Sequence, residues 1–292
     1  MSGNDILIRF EDVHRSFGSK HVLRGLDLEI RRGETYVVIG RSGTGKSVTL
    51  KHMVGLLAPD RGRVLVDGVH VAGLGVGKLR EFRKRFGYLF QSGALINWMT
   101  VGENVSLPLL EHTKHGPEEI RRRVRDALEL VGLKDVQGLS PSALSGGMRK
   151  RVGLARAIVL EPEIILYDEP TTGLDPVTTA IIDRQIVRMQ RRLGVTSVVV
   201  SHDMTSAFRV AGENGRIGML HEGRLIAEGS AEEIRTTTDP ILRQFIDGAI
   251  EGPLEDDPRD RRAVDRLGSG IWRKGRWIGN DGLKGAPKAR GD

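Results

Sequence analysis

One stretch restricts the fold of this chain more than any other: residues 35–50, with the sequence TYVVIGRSGTGKSVTL. An apolar, β-branched run leads into Gly-x-x-x-x-Gly-Lys-Ser, and a segment suited to a helix follows. Strand, glycine-rich turn and helix in this order are the context that a phosphate-binding loop requires. A glycine-rich turn that matches by chance is the alternative, and the correct flanking elements disfavour it.

The residue types in this loop fit a triphosphate. Gly40 and Gly45 allow the backbone to curl, so that several N–H groups meet phosphate oxygens at the positive end of a helix. Lys46 is placed to reach the β- and γ-phosphates, and the Ser47 hydroxyl can ligate Mg²⁺. We therefore predict that a nucleoside triphosphate, which the family resemblance described below implies is ATP, is bound by a run of loop residues: Gly40, Arg41, Ser42, Gly43, Thr44, Gly45, Lys46, Ser47 and Val48.

A second anchor for the same site is the stretch EIILYDEP at residues 163–170, where an apolar run ends in Asp168 and Glu169. A strand buried on both faces exposes carboxylates only at its end, which in a parallel sheet lies beside the phosphate loop. We expect Asp168 to hold Mg²⁺ through water and Glu169 to orient and polarise the attacking water. Without the phosphate loop, two acids after an apolar run would indicate only a solvated strand end.

The remaining pattern predicts an α/β fold. Residues 6–39 are typical of strands, residues 62–71 of a hairpin, and the region from about Phe90 to Leu160 of helices. The stretches EIILYDEP and VTSVVVSHD indicate buried parallel strands joined by a crossover helix, and IGMLHEGRLIAEGS indicates a terminal hairpin.

Composition excludes several classes of protein. The chain has no cysteine, which excludes disulfides and cysteine-ligated zinc and fits a reducing compartment. No apolar run approaches the roughly 18 residues that a membrane span needs, and we expect no secretion signal in the opening MSGNDILIRFEDVHRSFG. The net charge of +7 fits solubility, a polyanion partner or an acidic membrane surface.

The composition changes near Gly248, where aliphatic residues become rare and charge, glycine and proline become common. We therefore expect an ATPase domain at residues 1–248 and a tail at residues 249–292, either flexible or docked on a partner. The tail sequence IWRKGRW is typical of a segment that contacts an anionic membrane or a groove of a partner. A solvated, disordered end is the alternative.

A third motif, LSGGM at residues 144–148, identifies a family. Together with the phosphate loop and EIILYDEP, it resembles the ATP-binding subunits of ABC transporters over roughly residues 6–235. The resemblance implies a RecA-like P-loop NTPase core, an antiparallel β subdomain and an inserted α-helical signature subdomain at roughly residues 92–160. It also implies a head-to-tail homodimer in which this signature loop caps the γ-phosphate bound by the other copy. Ser145, Gly146 and Gly147 would supply that cap, since glycines permit close approach and a helix begins there.

The same resemblance assigns roles to single residues elsewhere. Phe17 would stack on adenine, Gln91 would contact Mg²⁺, and Asp175 would bridge the two copies. His202 would contact the γ-phosphate, which makes Glu169, His202 and Lys46 the catalytic set. The chain departs from the family at Met148, where glutamine is usual, and at Val48, where many relatives have a hydroxyl residue near the α-phosphate.

Two further stretches, LFQSGALINWMTVGENVSLPLLEHT and FIDGAIEGPL, look like those of the ATPases of Mla- and Mce-type lipid transporters. That resemblance implies phospholipid-type transport across the cell envelope, with an integral-membrane permease and an MCE-domain lipid-binding protein. The ATPase would then lie on the cytoplasmic face of the inner membrane. A different cargo, such as an amino acid or a drug, is the alternative. A nucleic-acid partner is not expected, because the chain has one phosphate loop, one LSGG and no heptad run.

Overall fold

The computed structural model describes residues 5–249, 251–254, 270–273 and 276–279. The N-terminal part contributes a four-stranded antiparallel sheet, ordered β2-β1-β4-β5. Its strands are β1 (Ile6–Phe17), β2 (Lys20–Arg31), β4 (Arg61–Val66) and β5 (Val69–His70).

The second sheet has eight strands in the order β12-β11-β10-β9-β3-β8-β7-β6. They are β3 (Thr35–Ile39), β6 (Phe86–Leu89), β7 (Ile164–Asp168), β8 (Thr196–Ser201), β9 (Arg216–His221), β10 (Arg224–Ser230), β11 (Gly270–Arg273) and β12 (Arg276–Gly279). Strands β9, β3, β8, β7 and β6 pair in parallel. Every residue of β3, β7 and β8 is buried, as expected for parallel strands covered on both faces.

Helices cover the larger sheet and form an insertion between β6 and β7. They are α1 (Lys46–Met53), α2 (Val76–Arg83), α3 (Val101–His112), α4 (Pro117–Leu130), α5 (Gly146–Ile158), α6 (Pro176–Leu193), α7 (Met204–Ala211), α8 (Ala231–Arg235) and α9 (Pro240–Asp247). No helix in the described ranges combines the length and apolarity that crossing a membrane requires. The predicted class is confirmed: an α/β core with an antiparallel sheet and, as α3 to α5, a helical insertion.

The first helix of the insertion begins about ten residues later than the sequence indicates. Residues 86–89 form β6, an irregular segment follows, and α3 starts only after Thr100. Thr100 and Glu103 form a capping box, in which the Thr100 N–H donates to Glu103 Oε2 at 2.7 Å. The buried Asn104 amide bonds both the N–H and the carbonyl of Ile96, at 2.7 and 3.0 Å. These side-chain contacts replace the helical hydrogen bonds of the segment. They explain why the prediction of helix from about Phe90 is wrong.

Two apolar cores enclose β3. Val37 and Ile39 belong to the core shared with the helical insertion, α6 and α7. Tyr36 and Val38 point to the other side, into the core between the two sheets. The strand that leads into the phosphate loop is therefore fixed from both faces.

The packed chain continues past Gly248, where the sequence analysis places the domain boundary. Leu254 is buried, its N–H donates to Gln244 Oε1 at 2.6 Å, and its carbonyl accepts from Arg41 Nη1 at 2.6 Å. Further on, β11 pairs in parallel with β10 through Ala227 and Trp272, and β12 pairs with β11. The boundary stays a prediction, and the interpretation of residues 255–269 and 280–292 as a tail lies outside the described residues.

Candidate functional site

The phosphate loop follows β3 and ends where α1 begins, as its sequence predicts. Two of its glycines lie too close to neighbouring atoms to carry a side chain without a shift. A Cβ atom on Gly40 would lie 2.2 Å from the Leu220 carbonyl oxygen, and one on Gly45 would lie 2.8 Å from a Leu23 methyl group. Gly45 also has a φ of 105°, which residues with side chains rarely adopt. The loop therefore keeps a backbone path that larger residues cannot follow.

Lys46 lies inside this loop with only 5% of its surface exposed. Its Nζ donates to the carbonyls of Gly40 and Arg41 at 2.8 and 2.9 Å. Burial lowers the pKa of Lys46, and the nearby carboxylates of Glu169 and Asp168 oppose that shift. A phosphate in the loop would favour the charged ammonium further, because opposite charges interact strongly where water is excluded.

The Ser47 hydroxyl donates to Asp168 Oδ1 at 2.6 Å, so the phosphate loop and the end of β7 meet. The Tyr88 hydroxyl donates to Asp168 Oδ2 at 3.2 Å, and burial, followed by the charge of Asp168, raises the pKa of Tyr88. The described residues include no group of three or more His, Cys, Asp or Glu side chains that could hold a metal. The Ser47 hydroxyl and the Asp168 carboxylate instead fit Mg²⁺, which prefers few protein oxygens and completes its shell with phosphates and water.

Glu169 is the centre of the predicted catalytic set. Its Oε2 accepts from Gln91 Nε2 at 3.2 Å and from the Thr172 hydroxyl at 3.0 Å. Its Oε1 lies 3.4 Å from His202 Nδ1 and 3.9 Å from Lys46 Nζ. The structure thus brings Gln91, Lys46 and His202 together around one carboxylate, which can accept a proton from a water molecule held beside it.

The signature loop packs against the turn that contains Asp175. Helix α5 begins at Gly146. The Ser145 hydroxyl caps it by accepting a hydrogen bond from the Met148 N–H at 3.2 Å. A Cβ atom on Gly147 would lie 2.4 Å from Thr178 Cγ2, so a larger residue would require the Thr178 side chain to move. Asp175 in turn caps α6, and hydrogen bonds from Thr178 lower the pKa of Asp175. The two segments predicted to reach the other copy are therefore held as one unit.

An open cleft of about 350 Å³ lies beside the phosphate loop, and Phe17, the residue predicted to stack on adenine, is not among the residues that line it. Phe17 is 44% exposed, and the Arg15 guanidinium lies 4.8 Å from the centre of its ring. Val48 packs partly against the core between the sheets, which leaves its backbone for any phosphate contact. The cleft is lined by residues from the start of β2, from the phosphate loop and from the β9–β10 connection: Lys20, His21, Val22, Arg24, Arg41, Ser42, Gly43, Thr44, His221, Glu222 and Gly223.

Several residues of the site escaped the sequence analysis. Tyr88 and Thr172 contact the two acids, and Lys20 and His221 line the cleft. Thr172 follows Glu169 by three residues, so its spacing offered a local signal. The other three come from distant parts of the chain, and no local pattern marks them.

Comparison with known proteins agrees with this geometry. Residues 23–172 match the family model described as ABC transporter. A dimeric structure of a post-hydrolysis state of the ATP-binding cassette MJ0796, bound to ADP and Pi, superposes with a TM-score of 0.70 at 33% identity. The superposition covers 77% of this chain and 99% of the cassette.

Two curated relatives extend over most of the chain. The probable ribonucleotide transport ATP-binding protein mkl of Mycobacterium leprae is 43% identical over 249 residues, covering 85% of this chain and 71% of mkl. The intermembrane phospholipid transport system ATP-binding protein MlaF of Escherichia coli is 40% identical over 248 residues, covering 85% of this chain and 91% of MlaF. The chain belongs to the ABC transporter family, as one of its ATP-binding subunits that hydrolyse ATP.

Proposed function

We propose that this ATPase powers phospholipid-type transport across the cell envelope through a separate permease. The observation that carries the proposal is the 40% identity to MlaF over 91% of its length, because MlaF is named for intermembrane phospholipid transport. The stretch LFQSGALINWMTVGENVSLPLLEHT adds support, since it covers the start of the helical insertion, where the lipid-transporter resemblance lies.

In the proposed mechanism, Glu169 orients a water molecule and accepts its proton as the water attacks the γ-phosphate of ATP. Lys46 and His202, which lie on one side of the Glu169 carboxylate, would stabilise the charge that develops on the transferred phosphoryl group. Ser47, Asp168 and Gln91 would hold Mg²⁺. When bound, Mg²⁺ would neutralise charge on the β- and γ-phosphates.

We further propose that two copies assemble head to tail and share their nucleotides. Ser145, Gly146 and Gly147 lie at the start of α5, where a helix terminus favours an anion. Asp175, packed with them, would bridge the copies. The related cassette that binds ADP and Pi as a dimer supports this arrangement.

The permease would bind the helical insertion from the membrane side. Trp98 is 86% exposed and Leu110 is 59% exposed on this part of the chain, and exposed apolar side chains of this size are typical of interaction surfaces. The ATPase would therefore lie on the cytoplasmic face of the inner membrane. An MCE-domain lipid-binding protein would complete the transporter, and the tail from residue 249 would dock on this assembly.

The name of mkl favours a second cargo, ribonucleotides. Reconstitution of the chain with its permease in lipid vesicles decides between the two. We expect ATP hydrolysis and cargo movement to depend on phospholipid in the vesicle. Activity that responds to ribonucleotides, amino acids or drugs and is indifferent to phospholipid would contradict the lipid assignment.

A further inference from the structure

Lys150 is a buried cation beside the site, and the motifs assign it no role. It lies one turn into α5, and only 5% of its surface is exposed. Its Nζ donates to two main-chain carbonyls, that of Gln91 and, at 3.3 Å, that of Glu169. In the described part of the chain, no carboxylate oxygen lies within ion-pair distance of it. Burying an ammonium without such a partner costs free energy, so the burial of Lys150 needs an explanation.

The two carbonyls belong to residues whose side chains also contact each other. Gln91 Nε2 donates to Glu169 Oε2 at 3.2 Å. Lys150 therefore binds the main-chain carbonyls of Gln91 and Glu169, the two residues whose side chains bond each other. A displacement of Lys150 would alter the donor and the acceptor of that contact together.

The backbone of Glu169 has a particular need for support. Its φ of 47° lies in the left-handed region, which is uncommon for a residue with a side chain. Its N–H donates to the Val200 carbonyl at 3.0 Å, and its own carbonyl accepts from Lys150. The conformation that directs the carboxylate toward Lys46 and His202 is thus fixed at both of its peptide groups.

Helix α5 gives this contact a wider consequence. Its first turn carries Ser145, Gly146 and Gly147, the proposed cap on the nucleotide of the partner copy. Its next turn carries Lys150, which contacts the acid of this copy's own site. One rigid helix therefore connects two different nucleotide sites.

We propose that Lys150 is a positioning residue for Glu169, which couples capping of the partner's nucleotide to the alignment of the carboxylate in its own site. The inference rests on the proposed function, in which Glu169 orients water and the signature loop acts on the other copy. Movement of α5 on capping is transmitted through Lys150 to the main chain of Glu169.

The test compares three variants of the full-length chain in ATP hydrolysis and in ATP binding. Lys150→Met removes the ammonium and keeps the stem, and Lys150→Arg keeps a cationic donor. Arg151→Met is the matched control, because Arg151 is the next residue of α5 and donates to the Gly132 carbonyl at 3.0 Å. We expect Lys150→Met to lower kcat by between about 10- and 100-fold, the effect of a small misplacement at a reacting centre. KM and the Kd for ATP should stay within about twofold of wild type.

Lys150→Arg should recover most of the lost kcat, and Arg151→Met should match wild type. A Lys150→Met variant as active as the control would overturn the inference. A parallel loss of kcat, ATP affinity and Tm would also overturn it, since a structural role predicts that pattern. If Lys150→Met does not fold, Lys150→Gln, which keeps N–H donors on a shorter stem, is judged by the same criteria.

Glu169→Gln, measured alongside, separates this inference from the proposed function. Wild-type turnover in Glu169→Gln would contradict the proposed function itself. Loss of turnover in Glu169→Gln together with full activity in Lys150→Met would overturn only the role of Lys150.

Discussion

Replacing Glu169 with glutamine removes one charge and one proton acceptor and keeps the size of the side chain. In the structure, one carboxylate oxygen accepts from Gln91 and Thr172, and the other faces His202 and Lys46. The amide oxygen of glutamine can keep the first pair of contacts. The amide NH₂ would face the second pair, where it offers neither a negative charge nor a site for a proton.

Two magnitudes follow from this geometry. Loss of a positioned proton acceptor lowers a rate by about 10²- to 10⁴-fold, and we expect kcat to fall within that range. Two unit charges about 4 Å apart attract by roughly 4 kcal/mol at an effective dielectric constant near 20, and Glu169 Oε1 lies 3.9 Å from Lys46 Nζ. Without this carboxylate, Lys46 has more to gain from a phosphate, so the affinity for ATP should stay the same or increase.

The assay measures steady-state phosphate release and, by calorimetry, the Kd for ATP, with light scattering to detect an ATP-bound dimer. Glu163→Gln is the matched control, because Glu163 precedes the same strand at its opposite end and bonds Arg85 on the surface. We expect a stable ATP-bound dimer with Glu169→Gln and normal turnover with Glu163→Gln. Turnover of Glu169→Gln within about threefold of wild type, far above the loss expected for a missing general base, would refute the reasoning. A weaker affinity for ATP would refute its electrostatic part.

Three other substitutions test separate parts of the structure. Lys46→Ala should weaken ATP binding by about 10- to 100-fold, because hydrogen bonds to charged groups are worth about 1.5–3 kcal/mol; unchanged affinity by calorimetry would contradict this. Ser145→Arg should bind ATP normally and hydrolyse it slowly, since the blocked surface serves the other copy. Mixing Ser145→Arg with Lys46→Ala should restore part of the activity, because each mixed dimer keeps one composite site without either lesion; no recovery would argue against shared sites. Thr100→Ala removes the capping box of α3 and should cost about 1 kcal/mol, seen as a Tm lowered by about 2–4 °C for a chain of this size; an unchanged Tm would show that the cap contributes nothing.

The phosphate loop and the two acids could be predicted because their signals are local. Residues 40–47 carry their spacing and flanking elements within one short stretch, and Asp168 and Glu169 end a run of apolar residues. The structure places them together through the Ser47–Asp168 hydrogen bond, across 121 positions. The family resemblance, which rests on the order of the motifs, implies that these two segments meet.

The missed features depend on contacts between distant residues. Strand β6 is four residues long, and its sequence FGYL suits a strand or a buried helix equally. The contact between Lys150 and Gln91 spans 59 positions, and only the folded chain shows which carbonyl the ammonium reaches. The capping-box pattern at Thr100 and Glu103 indicates where α3 starts. The apolar content before Thr100 instead favours an earlier start, and the prediction follows that signal.

The hydrogen bond from Arg41 to Leu254 joins residues 213 positions apart. During synthesis, Arg41 leaves the ribosome long before the carbonyl that it binds has been made. A nascent chain that already contains every recognisable motif therefore lacks one support of its phosphate loop. A growing chain should accordingly complete this support of its phosphate loop only after Leu254 has emerged from the ribosome.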